Sequence, residues 1–76
     1  MTKSKLSQFV KQKRKKLKLT QPELAEKAGV GLRLLREIEQ GKKSMRMDKV
    51  NLVLALFGYE LVPGKIERDE QTEQEL

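Results

Sequence analysis

Apolar residues fall at helical intervals from Leu6 to Phe57 and then give way to a polar, acidic stretch. Residues 5–17 carry Leu6, Phe9, Val10 and Leu17 on one stripe, with lysines and Arg14 at the other positions, and this spacing predicts an amphipathic helix. Thr20-Gln21-Pro22-Glu23 reads as a capping box, in which the Thr20 hydroxyl accepts from the Glu23 amide and the Glu23 carboxylate reaches back to the Thr20 amide. Pro22 falls in the first turn, where its missing N–H costs nothing. A second helix therefore starts at Gln21, buries Leu24, Ala25 and Ala28, and stops near Gly29. A third covers about 32–40, with Leu35 and Ile38 spaced for the core and Gly41 as its stop, because a left-handed residue there needs no Cβ.

Asp48 is placed to cap a fourth helix over about 49–57, and Gly58 to end it. Residues 50–57 contain a single polar side chain, Asn51. A helix that is apolar all round is buried all round. Either it is the central element of a five-helix monomer, or a second chain covers what its own chain leaves open. Leu52, Val53, Leu56 and Phe57, with Tyr59 and Leu61 beyond, are the residues such a partner would cover. Residues 59–62 are apolar enough for a short C-terminal strand, whereas residues 65–76 are acidic, lack an apolar period and are expected to be disordered. Residues 1–64 are then one all-α domain of four to five helices.

At 76 residues such a domain is only marginally stable by itself. Cysteine and histidine are both absent, which removes disulfides and the usual zinc ligands, so no metal or cofactor is expected and oligomerisation is the remaining route to extra buried area. No run is apolar enough to span a bilayer, and no apolar stretch follows the N-terminal lysines, so the expectation is a cytoplasmic protein with no membrane role. An enzyme is not expected. The serines Ser4, Ser7 and Ser44 have no base nearby in sequence, and Glu37 and Glu39, two apart on a helix, face different ways.

Charge changes the picture further. Residues 1–49 hold 15 Lys/Arg against 5 Asp/Glu, while residues 50–76 hold 2 against 6. A basic body with an acidic end points to a polyanion as partner, although part of the charge serves solubility. Residues 11–18 alone carry six basic side chains, which form either a solvated helix face or, for a subset such as Lys13 and Lys18, phosphate contacts.

The informative stretch is Leu19-Thr20-Gln21-Pro22-Glu23-Leu24-Ala25-Glu26-Lys27-Ala28-Gly29-Val30, followed by Leu35, Ile38, Glu39 and Gly41. Ala25 is small enough for two short helices to cross closely, Gly29 permits a positive φ in the turn, and Val30 anchors that turn in the core. With Leu35 and Ile38 buried, the opposite face of the third helix is free to enter a groove.

This string resembles the helix-turn-helix of phage lambda-type repressors and their bacterial relatives, the XRE family, over residues 5–57. The resemblance implies a lambda-repressor-like, all-α fold that binds double-stranded DNA, as a homodimer on an inverted repeat, with the third helix in the major groove. It implies that Gln21 bonds a backbone phosphate, that Gly31, Leu32, Arg33, Arg36 and Glu37 face DNA, that Lys42 and Lys43 lie along the phosphates, and that Arg14 and Glu39 form a partly buried ion pair. Glu39 is then scaffold. Arg33 and Arg36 suit either guanine edges or phosphates, and Leu32 suits a thymine methyl. Glu37 could accept from a cytosine amine or orient an arginine, and Leu34 is in part a core residue. The pattern is departed from at Gly31, where a hydroxyl residue is usual, and at Leu32 and Leu34, where polar residues are commoner. The short chain and the strand at 59–62 also resemble the antitoxins of kinase-toxin operons (HipB-like proteins), which implies an autoregulatory repressor with a HipA-like toxin kinase as partner. The alternatives are a phage-type or stand-alone regulator, or an adaptor that uses the same fold to bind protein.

Overall fold

The computed structural model describes residues 4–65, so the acidic segment that follows, expected to be disordered, lies outside the described residues. Four helices follow one another: α1 (Lys5–Lys16), α2 (Gln21–Ala28), α3 (Leu32–Gln40) and α4 (Met47–Ala55). The core draws on all four helices: Val10 of α1, Leu24 and Ala25 of α2, Leu35 and Ile38 of α3, and Val50, Val53 and Leu54, at i, i+3 and i+4, of α4. Between α1 and α2 lies α3, which packs on both, while α4 packs most closely on α2. Leu6, Phe9, Leu19, Ala28, Val30 and Leu34 close the edges of this core.

Helix starts follow local chemistry. Ser4 caps α1 by accepting from the Ser7 amide at 3.0 Å. At α2 the capping box forms in full: the Glu23 amide donates to Thr20 Oγ1 at 3.3 Å and the Thr20 amide to Glu23 Oε1 at 2.8 Å. Those bonds hold the Glu23 carboxyl below its usual range, the Thr20 backbone N–H being the main cause. The fourth helix differs from expectation. It begins at Met47, two residues early, and Asp48 sits inside its first turn bound to Arg46 at 2.8 Å instead of capping it.

All four helices end in the same way. A left-handed residue donates back three residues and the next one back five, as in Gly29 to Glu26 (3.2 Å) with Val30 to Ala25 (3.0 Å), and Lys18 to Lys15 (2.9 Å) with Leu19 to Arg14 (3.1 Å). This pair of bonds needs a left-handed residue. Three helices supply glycine, but α1 supplies Lys18 at φ 60°, the one positive-φ residue other than glycine among the described residues. The neighbouring Leu17, expected on the apolar stripe, is its exposed cap.

Beyond α4 the structure corrects the expectation of a strand: there is none among the described residues. The chain turns at Gly58, and Leu61 is held by its amide donating to Asn51 Oδ1 at 2.7 Å, so the polar residue of α4 fixes the segment that follows it. Tyr59 and Phe57 pack edge-on against Phe9, with ring centroids 4.7 and 6.4 Å apart. The all-round burial expected of the fourth helix also resolves into sides. Val53, grouped with the dimer face, is wholly enclosed by its own chain and is a core residue, whereas Leu52 and Leu56 are each 44% exposed.

Replacing Lys18 with glycine tests the strain at the end of α1. A left-handed non-glycine residue costs about 1–2 kcal/mol, and the extra freedom of glycine in the unfolded chain returns about 0.5–1 kcal/mol of that. Lys18→Gly should therefore raise stability by about 0.5–1 kcal/mol and the melting temperature by a few degrees. A lower melting temperature in a thermal scan would show that the lysine side chain offsets its own backbone strain.

Candidate nucleic-acid interface

The turn between α2 and α3 sets the geometry of the whole face. Gly29 at φ 75° reverses the chain, and Ala25, buried and small, lets the two helices approach. Burial of Leu35, Ile38 and Glu39 turns the opposite stripe of α3 outward. Arg33 and Arg36 lie on that stripe, with the Arg33 side chain 93% exposed. Gln40, one turn beyond Arg36, is exposed on the same stripe and was missed from sequence, although its i+4 spacing from Arg36 could have placed it there. At the start of α3, Gly31 offers no side-chain cap, so the first amides of that helix keep the open N–H groups that anions favour.

Glu37 is already engaged by its own chain. Its Oε2 accepts from Lys42 Nζ at 3.2 Å and lies 3.5 Å from Arg33 Nε, so it holds two cations of the face in place. Lys43 is exposed in the loop after α3, Leu32 is half-buried at its start, and Leu34 packs against the core. Lys18 is exposed at the corner before α2. Lys13 stands apart from the other lysines. Its ammonium sits 5.5 Å from the Phe9 ring and 5.3 Å from the Tyr59 ring, on the aromatic side of α1.

Behind the face lies a buried polar centre. Arg14 grips the Glu39 carboxylate with two prongs, Nε to Oε2 at 2.7 Å and Nη2 to Oε1 at 3.0 Å, with side chains 12% and 4% exposed. Its third nitrogen, Nη1, donates to the Leu19 carbonyl at 2.9 Å. Gln21 Nε2 donates to Glu39 Oε1 at 3.1 Å, and Ser7 Oγ donates to the Glu39 carbonyl at 2.8 Å. Gln21, assigned from sequence to a phosphate, is thus also part of the scaffold. The role of Ser7 was missed, although it stands one turn before Val10 on the inward side of α1. Burial pushes the Glu39 carboxyl up, but the bonds from Arg14 and Gln21 and the Arg14 charge together outweigh it and hold the group below its usual range. The same hydrogen bond raises the Arg14 guanidinium. Among the described residues, no buried side-chain polar atom lacks a partner, no cluster of metal-binding side chains occurs, and no helix is long and apolar enough to cross a membrane.

Two short helices joined by a glycine turn, the second presenting a basic stripe, define a helix-turn-helix. A family model described as helix-turn-helix matches residues 10–63, and the chain belongs to that family, whose members are DNA-binding transcription regulators. No curated protein matches the chain.

The buried pair predicts an acid response. Because the folded-state pKa of Glu39 is depressed, its contribution is complete above the ordinary glutamate value of about 4.3 and is lost as pH falls through the lower folded value. Glu39→Gln strands the guanidinium and should cost about 3 kcal/mol near pH 7, with the gap to wild type narrowing in acid. Denaturant melts of both proteins at neutral and acid pH measure this, and a penalty independent of pH would mean that the carboxylate charge is not what stabilises the pair.

Proposed function

We propose that the chain is a sequence-specific repressor that binds an inverted DNA repeat as a homodimer. The observation that carries this reading is the stripe of Arg33, Arg36 and Gln40 on a helix whose other side is locked into the core. Arg33 and Arg36 read base edges, with Leu32 against a thymine methyl. Lys18, Gln21, the Gly31 end of α3, Lys42 and Lys43 take phosphates, and Glu37 orients Arg33 and Lys42. Lys13, engaged with the aromatic cluster, contributes less than the other lysines.

The dimer reading rests on the apolar surface left outside the core. Leu52 on α4, Leu56 at its C-cap four residues on, and Tyr59 beyond them stay exposed in the single chain, while Phe57 and Leu61 are half-buried. A two-fold axis at this surface would present two copies of α3 to one side of a duplex, about 34–36 Å apart. The narrower reading, an antitoxin paired with a toxin kinase, drew on the short chain, the absence of a sensor domain and a strand at residues 59–62. That segment forms no strand here, so repression without a named toxin is the reading put forward.

Binding to duplex DNA should weaken steeply with salt, the logarithm of the constant falling by about 0.9 per phosphate contact for each unit of log salt. Arg33→Ala or Arg36→Ala should cost about 1–3 kcal/mol on the specific site and blur one base position, while Lys43→Ala weakens all sequences alike. A flat salt response removes the DNA reading. Equal losses on specific and random duplexes remove only the base-contact assignment.

Sedimentation tests the dimer separately. Wild-type protein at micromolar concentration should run as two chains and Leu56→Asp as one, because a carboxylate buried without a partner costs several kcal/mol. A wild-type mass of a single chain refutes the dimer.

A further inference from the structure

We infer that Glu39 is a positioning residue for DNA contact, acting through the side-chain amide of Gln21; the inference rests on the DNA-binding reading above. The argument starts from what a carboxylate can do. It accepts hydrogen bonds and donates none, so a glutamine beside it must turn its nitrogen, not its oxygen, towards it. Gln21 does so, with Nε2 3.1 Å from Glu39 Oε1. One N–H of that nitrogen is used, which leaves the second as a donor for an incoming anion, on a half-buried side chain at the first position of α2. A free glutamine on a surface samples both amide orientations, and only one offers a donor to an anion. Glu39 removes the other.

The same carboxylate fixes the backbone from which Gln21 projects. Arg14 is bound to both oxygens of Glu39 and reaches on to the Leu19 carbonyl at 2.9 Å, two residues before Gln21. Thr20, between them, is held by its capping box with Glu23. Glu39 therefore sets both where the Gln21 side chain begins and which atom it presents. It stands on the helix that carries the base-reading stripe, so the amide and the stripe share one rigid frame.

Gln21 is uncharged, which gives its contact a signature. Losing it releases no counterions, so affinity falls while the salt slope stays the same, unlike the loss of Lys43. On a random-sequence duplex at low salt, and well below every melting temperature, Gln21→Ala should bind about fivefold more weakly, roughly the effect of one hydrogen bond. Glu39→Gln should bind about as weakly with the same slope, and the double variant no more weakly than either single one. Arg14→Lys, which keeps both Glu39 and Gln21, should melt lower yet still lose about fivefold when Gln21→Ala is added. Additive losses for Glu39→Gln and Gln21→Ala overturn the positioning role while leaving DNA binding in place, whereas wild-type protein with no salt-sensitive binding overturns the DNA reading itself. Should Glu39→Gln fail to fold, the wild-type chain still decides the matter by side-chain amide NMR. One Gln21 proton exchanging more slowly than those of exposed Gln40 supports the inference, and equal exchange at the two residues overturns it.

Discussion

A carboxylate at the centre of a domain this small is expensive, and the fold is arranged around that fact. Glu39 sits where α3 passes between α1 and α2, and leaving it unpaired would cost more than most single core contacts give. Arg14, Gln21 and Ser7 converge on its side chain and main chain from the other two helices. An apolar residue of similar volume would fill the same space, but it would not dictate the angle of three helices at once. The network therefore acts as a registration device: α1, α2 and α3 fit together in the one arrangement that satisfies every donor and acceptor.

Most of this was legible in the sequence because the signals are local. The capping box at Thr20 and Glu23, the glycines at 29 and 41, and the buried Leu24, Ala25, Leu35 and Ile38 each follow from signals within a few residues, and the structure places them as read. What escaped depends on contacts distant in the chain. Asp48 has the composition of a cap, yet Arg46 claims its carboxylate and the helix starts earlier. Val53 and Leu56 look equivalent as text, and only the direction from which α2 approaches decides that one is core and the other surface. The segment 59–62 has a strand's composition, but Asn51 and Phe9 hold it by its backbone amide at Leu61 and by its tyrosine ring.

The candidate site was legible to a similar depth. The family resemblance singled out Arg33 and Arg36, and the burial of Leu35 and Ile38, which the spacing did predict, turns them outward. Lys13 shows the limit of that reasoning. In a run of six basic residues every lysine looks alike, and the difference is made by Phe9 and Tyr59, the second of which is 46 positions away. Gln40 was passed over because a neutral amide stands out little beside arginines, though the helical period gives it the same exposure.

The carboxylate of Glu37 has a consequence for discrimination. It places a negative charge among the cations of the face proposed to meet DNA, within 3.5 Å of both Arg33 and Lys42. On the proposed reading, a sequence that offers Arg33 no better partner would leave the arginine with Glu37, and the duplex would gain little from it. Where a guanine edge offers two well-placed acceptors, the exchange would become favourable. A regulator must find its site among a vast excess of competing duplex, and what counts is the ratio between right and wrong sequences, not tightness alone. An internal competitor of this kind would lower background adhesion more than cognate binding, which would let a small, strongly basic domain stay selective without a larger interface.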